Sequence, residues 1–155
     1  MRQLAVGQWR GHARQRRYDR GIGSHGENLI MAKVTGIGGL FFRARDPKAL
    51  AQWYATHLGI DDIARSAWHQ AAGPTVFAPF AADSAYFGRD GQQWMVNFRV
   101  DDLDAMMARL AAAGIAVETR AEWDSEVGRF CRIHDPEGNP IELWEPATGL
   151  SGSVA

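Results

Sequence analysis

One internal repeat limits what this chain can become more than any other feature. Phe42-Arg43-Ala44-Arg45-Asp46 lies over Phe98-Arg99-Val100-Asp101-Asp102 at an offset of 56. Leu50 meets Met106 at the same offset, and Gly59-Ile60 meets Gly114-Ile115 at 55. Each copy reads as a strand, a helix and three further strands. A unit of that size leaves one sheet face bare, so two copies must pair to close a core. The fold class expected is α+β, built from paired βαβββ modules at about residues 34–93 and 94–146, within a domain spanning 31–147.

The helices carry the clearest signals. Asp46-Pro47 supplies an N-cap followed by proline at the first helical position. Leu50, Trp53, Tyr54 and Leu58 then form an apolar stripe, and Gly59 ends it. In the second copy Asp102 caps, Leu103, Met106, Met107 and Leu110 form the stripe, and Gly114 ends it. Asp101, Asp102 and Asp104 are read as capping and a first turn favoured by the helix dipole, not as a metal cluster.

Strands are expected at 34–42, with Leu40, Phe42 and Ala44 facing the core, and at 94–100, with Val96, Phe98 and Val100 facing it. Met95, Asn97 and Arg99 would face the other way. Further strands are expected at 60–68, 75–80, 84–87, 115–122, 129–134 and 140–145. The last follows Asp135-Pro136-Glu137-Gly138-Asn139, a run of turn-forming residues. It puts Ile141 and Leu143 on one face, Glu142 and Trp144 on the other.

The chain's formal charge of −1 conceals an asymmetry. Residues 1–30 hold six Arg against two acids, while the remainder is net acidic. An acidic body does not suggest nucleic-acid binding. Residues 1–30 read as a disordered or extraneous N-terminal extension, with an Arg-rich helix over 4–18 and a transit peptide as the other readings. Residues 148–155 read as a tail. The one cysteine, Cys131, rules out an internal disulfide framework and is expected to be a small buried residue. A reduced, cytoplasmic protein is the default, and no apolar run approaches membrane-spanning length.

These residues resemble the vicinal oxygen chelate superfamily of glyoxalases, bleomycin-resistance proteins and extradiol dioxygenases. The likeness rests on Trp53-Tyr54 with Leu58-Gly59-Ile60, the junction from Phe98 to Asp104, and the closing run from Asp135 to Leu143. It implies two modules around a cupped site, and a homodimer. Relatives that use a metal take ligands from four positions. Carried over, these are Gly39, the region 85–87 where Tyr86 is the notable side chain, Met95, and Glu142. Only Glu142 retains a family ligand. No metal and no cofactor is therefore expected, a divalent ion being the disfavoured alternative.

The preferred expectation is a metal-independent module holding a small aromatic or anionic molecule in a roomy pocket. Phe41, Tyr86, Met95, Asn97, Arg99 and Trp144 are the candidate ligand-binding residues, and Glu142 the candidate catalytic one. Arg43 and Arg99 could together clamp an anion, or each snorkel to solvent. The alternative is a divalent-metal lyase, isomerase or dioxygenase with ligands rebuilt from Tyr86, Asn97, His69 or His134 near Glu142.

Overall fold

The computed structural model describes residues 32–60 and 67–149. The extension over 1–30, most of the tail and the middle of the expected strand at 60–68 lie outside them. The chain divides into two units, Met1–Leu40 and Phe41–Ala155. In the first, residues 32–40 form neither helix nor strand.

The second unit contains helix α1 (Pro47–Leu58), strand β1 (Val96–Arg99), helix α2 (Leu103–Ala112), strand β2 (Gly128–His134) and strand β3 (Pro140–Pro146). Both helices start as their sequences dictate. Asp46 accepts from Ala49 N at 3.0 Å and Asp102 from Ala105 N at 2.8 Å. Gly59 ends α1 in the left-handed region at φ +67°, a conformation that a Cβ would oppose.

The sheet runs β1-β3-β2, with β3 parallel to β1 and antiparallel to β2. A parallel pair needs a crossover, and α2 supplies it. Period-two alternation sorts the side chains. Val96, Phe98, Cys131, Ile133, Ile141 and Leu143 share the face that packs with Leu50, Tyr54, Leu103 and Leu110 in one core. Asn97, Arg99, Arg132, Glu142 and Trp144 share the other face.

The β2–β3 hairpin pins both helices. Asp135 is buried and takes four hydrogen bonds: Glu137 N and Asn139 N at 2.9 Å, Asn139 Nδ2 at 2.8 Å, and Tyr54 Oη at 3.1 Å. Burial and then the Asp135 carboxylate push the Tyr54 phenol well above its ordinary pKa, so its proton stays in that bond. Glu137 accepts from Arg45 N at 2.8 Å and Asp46 N at 3.1 Å, where α1 begins. These amides hold its carboxyl below the usual range. Glu145 does the matching task for α2, accepting from Leu103 N at 2.8 Å. Each helix thus receives a carboxylate at its positive end from the same hairpin.

Several expected strands do not form. Residues 34–42 are irregular, Val34 is 90% exposed and Leu40 is not core, whereas Ala44 does pack against the core. Gly36, Gly38 and Gly39 leave that stretch with too few side chains to hold a pleated surface. Residues 75–80 are likewise irregular, with Phe77 89% exposed. Here the preceding backbone is committed elsewhere: the carbonyls of Ala71 and Pro74 accept from Arg99 Nη2 and Nη1 at 2.6 and 2.8 Å. Residues 84–87 are a 3₁₀ turn, Ala85–Phe87, with the Ser84 hydroxyl accepting from Tyr86 N. The 115–122 strand reduces to a single bridge, Glu118 with Arg132, followed by the 3₁₀ turn Ala121–Trp123. The α+β class holds, and the second half keeps the βαβββ order with the first strand after its helix shortened to that bridge. In the first half, among the described residues, only the helix of the repeat is regular.

Candidate functional site

Chemistry on this chain gathers on the polar face of β3. Glu142 is only 6% exposed and sits opposite Asn97 on β1 and Arg132 on β2. Its Oε1 accepts from the Tyr86 hydroxyl, and its Oε2 from Asn97 Nδ2 at 2.7 Å. Tyr86 is delivered by the Ala85–Phe87 turn, and its ring stacks on Phe80 with centroids 5.2 Å apart and 16° between planes. Tyr86, Asn97 and Glu142 are therefore brought together from three separate segments.

The other candidates are placed differently. Arg99 is on the expected face but turned into the 71–74 backbone. Trp144 is buried beside Glu142's face, stacked on Phe130, with its indole N–H donated to Val127 O at 3.0 Å. Met95 is half-buried, while Phe41 is 94% exposed. Arg43 is exposed, in keeping with a snorkelling side chain and not with a clamp. His134 faces Glu118 at 3.9 Å, and His69 is exposed. Cys131 is buried on the core face, where desolvation and then the Glu142 charge push its thiol up to about 11. It is expected to resist thiol reagents at pH 8 until the protein unfolds. Labelling of the native protein at the unfolded rate would contradict that placement.

Arg132 is the residue that sequence reasoning overlooked. Its guanidinium lies 4.7 Å from the Tyr86 ring centroid and 4.8 Å from that of Trp123. The signal was available: Cys131 and Ile133 are apolar, so Arg132 between them must face away from the core. Among the described residues the space beside Glu142 is occupied by side chains. Tyr86 and Trp123 fill the space over Arg132, and clefts of about 300 and 290 Å³ lie instead beside α2 and α1.

The donor set does not suit a divalent ion. Both oxygens of Glu142 are taken by hydrogen bonds, Asn97 presents its amide nitrogen, and the remaining near groups are a phenol and a cation. A hard ion requires several oxygen or imidazole donors converging on one point. Among the described residues, no group of three or more His, Cys, Asp or Glu does so.

Desolvation, and then the bond to Glu142, push the Tyr86 phenol from 10.0 up to about 12. The unfolded chain loses this proton first. Tyr86 thus contributes its full stabilisation below about pH 10 and none once the pH passes about 12. Urea midpoints measured from pH 9 to 12 should fall more steeply for the wild type than for Tyr86→Phe; parallel curves would show that the bond is not made in solution.

A sequence profile of the glyoxalase-like domain matches residues 39–144. Over 54 residues the chain is 43% identical to "Putative glyoxylase CFP32" of Mycobacterium bovis and of Mycobacterium tuberculosis, a stretch covering 35% of this chain and 21% of each relative. The match thus spans about a fifth of the length of those curated relatives. Among solved structures, TnmS3, an antibiotic binding protein from Streptomyces sp. CB03234, superposes with a TM-score of 0.50 and 25% identity, covering 76% of this chain and all of that one. A glyoxalase/bleomycin resistance protein from the same strain gives 0.40 and 27%, covering 64% and 91%. Among the described residues, no helix is long and apolar enough to cross a membrane.

Proposed function

Because the chain belongs to the glyoxalase-like domain family, within the vicinal oxygen chelate superfamily, we propose that it is a metal-independent small-molecule-binding module. Its ligand lies against the polar face of β1-β3-β2. The observation that carries this reading is the state of Glu142. The one family ligand position that survives is engaged by Tyr86 and Asn97 in a hydrogen-bonded cluster, with aromatic rings beside it. Such a cluster recognises a planar molecule bearing a hydroxyl or N–H group, through one acceptor and flat apolar walls. The likeness to TnmS3, an antibiotic binding protein, supports a small-molecule ligand.

In this reading the Ala85–Phe87 turn is the wall that yields. It is three residues long, ends at Gly88 with φ +89°, and places the Tyr86 hydroxyl where a ligand donor would sit on Glu142. Asn97 stays on its strand and holds the carboxylate in position. A homodimer, a cytoplasmic location and a domain over 31–147 with flanking segments outside it complete the proposal.

Calorimetric titration of the metal-free protein with 2-naphthol tests it. Saturable binding is expected, unchanged by EDTA and weakened about tenfold in Glu142→Ala, on the scale of one hydrogen bond to a charged acceptor. Stoichiometric binding of Mn²⁺, Ni²⁺, Zn²⁺ or Fe²⁺ that disappears in Glu142→Ala would overturn it. That result would favour the metal-dependent lyase, isomerase or dioxygenase with a rebuilt ligand set.

A further inference from the structure

Arg132 has more binding capacity than the fold uses. The residue is 7% exposed, and its Nε and Nη2 atoms are buried with no hydrogen-bond partner among the described residues. These two atoms lie along one edge of the guanidinium, the edge that grips a carboxylate side-on through two parallel N–H···O bonds. Rings of Tyr86 and Trp123 hold the planar group at 4.7 and 4.8 Å. They satisfy its π faces and leave the donor edge bare. A buried cation with two unmade hydrogen bonds is costly, and a fold that keeps one has a use for it or a partner yet to come.

Neighbouring carboxylates do not discharge it. Glu142, directly across the strand pair, is committed to Tyr86 and Asn97, and Glu118 turns towards His134. On this face two guanidinium groups, Arg99 and Arg132, stand against the single carboxylate bonded into the cluster. Arg99 is spent on backbone carbonyls. Of the two, Arg132 keeps donor atoms without a partner among the described residues.

We propose that the Nε–Nη2 edge of Arg132 is a carboxylate receptor, and that the ligand of this module is an aromatic carboxylate. This rests on the reading of the polar face as a ligand cup and names the chemical class it takes. The ligand's two oxygens meet the donor edge while its ring lies beside Trp123 or Tyr86. Access to this edge requires a second wall to move besides the Ala85–Phe87 turn. Trp123 stands on a three-residue turn with no side-chain cap, held by the bond from Trp123 N to Arg120 O at 3.0 Å. Arg132 is a positioning and specificity group; no bond is made or broken in the ligand.

The test compares 2-naphthoate with 2-naphthamide, a neutral compound of nearly the same shape, by calorimetry on the full chain. Wild type should prefer the acid by at least tenfold, and Arg132→Lys should reduce that preference to less than threefold. Because Arg132→Lys could fail to fold, the wild-type arginine Nε–H signals are also followed by nitrogen-15 NMR. One buried signal should shift with naphthoate and stay in place with naphthamide. Equal binding of the two compounds, or preference retained in folded Arg132→Lys, overturns the receptor and leaves the cup standing. Binding of neither at millimolar concentration overturns both.

Discussion

Replacing Asp135 by alanine is expected to remove about 3–5 kcal/mol of stability, enough to leave the chain partly unfolded at 25 °C if its total is near the low end for domains of this size. The carboxylate is the single acceptor for four donors: two backbone amides of its own turn, the Asn139 side chain and the Tyr54 hydroxyl. Truncation orphans all four, and each buried donor left bare costs roughly 1–3 kcal/mol unless water reaches it. The Tyr54 bond spans 81 residues, so its loss also loosens α1 from the hairpin. Tyr54→Phe isolates that part and should cost about 1 kcal/mol. Asp135→Asn should fall between the two, since its amide repels at least one donor. Urea unfolding of the three variants decides the matter. A loss below 1 kcal/mol in Asp135→Ala would show that the turn's own backbone bonds suffice.

Leu143→Ala should be nearly as severe, at about 3–5 kcal/mol. Leu143 has no exposure, and register sets it between Phe98 on β1 and Cys131 on β2, beneath the helices. A cavity opened there is walled by the central strand on one side and the core on the other, so little can collapse into it. Phe41→Ala, a larger truncation, should change stability by less than about 0.5 kcal/mol because that ring is 94% exposed. If the two variants unfolded at similar urea concentrations, burial would not be what distinguishes them.

What could be read from the residues alone follows from how local each signal is. Asp46, Asp102 and Gly59 act within one turn of chain, and the structure uses each as expected. The alternation in β1 and β3 is strict, and it correctly separated Ile141 and Leu143 from Glu142 and Trp144. The expected strands at 34–42 and 75–80 did not form because glycines and Pro74 and Pro79 weaken the pleat, and because the carbonyls of Ala71 and Pro74 are drawn off by a side chain 28 and 25 residues away. Nothing near residue 74 announces that. Asn97 was named from strand parity, and Glu142 and Tyr86 from the family ligand positions, and the structure brings the three together. The face of Arg132 was legible from its apolar neighbours but its surroundings were not, because they depend on two rings, Tyr86 and Trp123, carried in from distant turns.

The strand order has a consequence for how the chain is made. β3 lies between β1 and β2, yet it is the last of the three to leave the ribosome. Until residue 146 emerges, β1 and β2 have no common neighbour and each exposes unpaired amides and carbonyls. At 5–20 residues per second, the interval between completing β1 at residue 99 and completing β3 lasts roughly 2–10 s. Throughout it the nascent chain carries a half-built sheet whose centre is missing, so vectorial synthesis cannot stabilise it strand by strand. Completion of the sheet therefore waits for the hairpin that also supplies Glu137 and Glu145 to the two helices. Chaperones that shield open sheet edges would find their substrate in that window and lose it as soon as it closes.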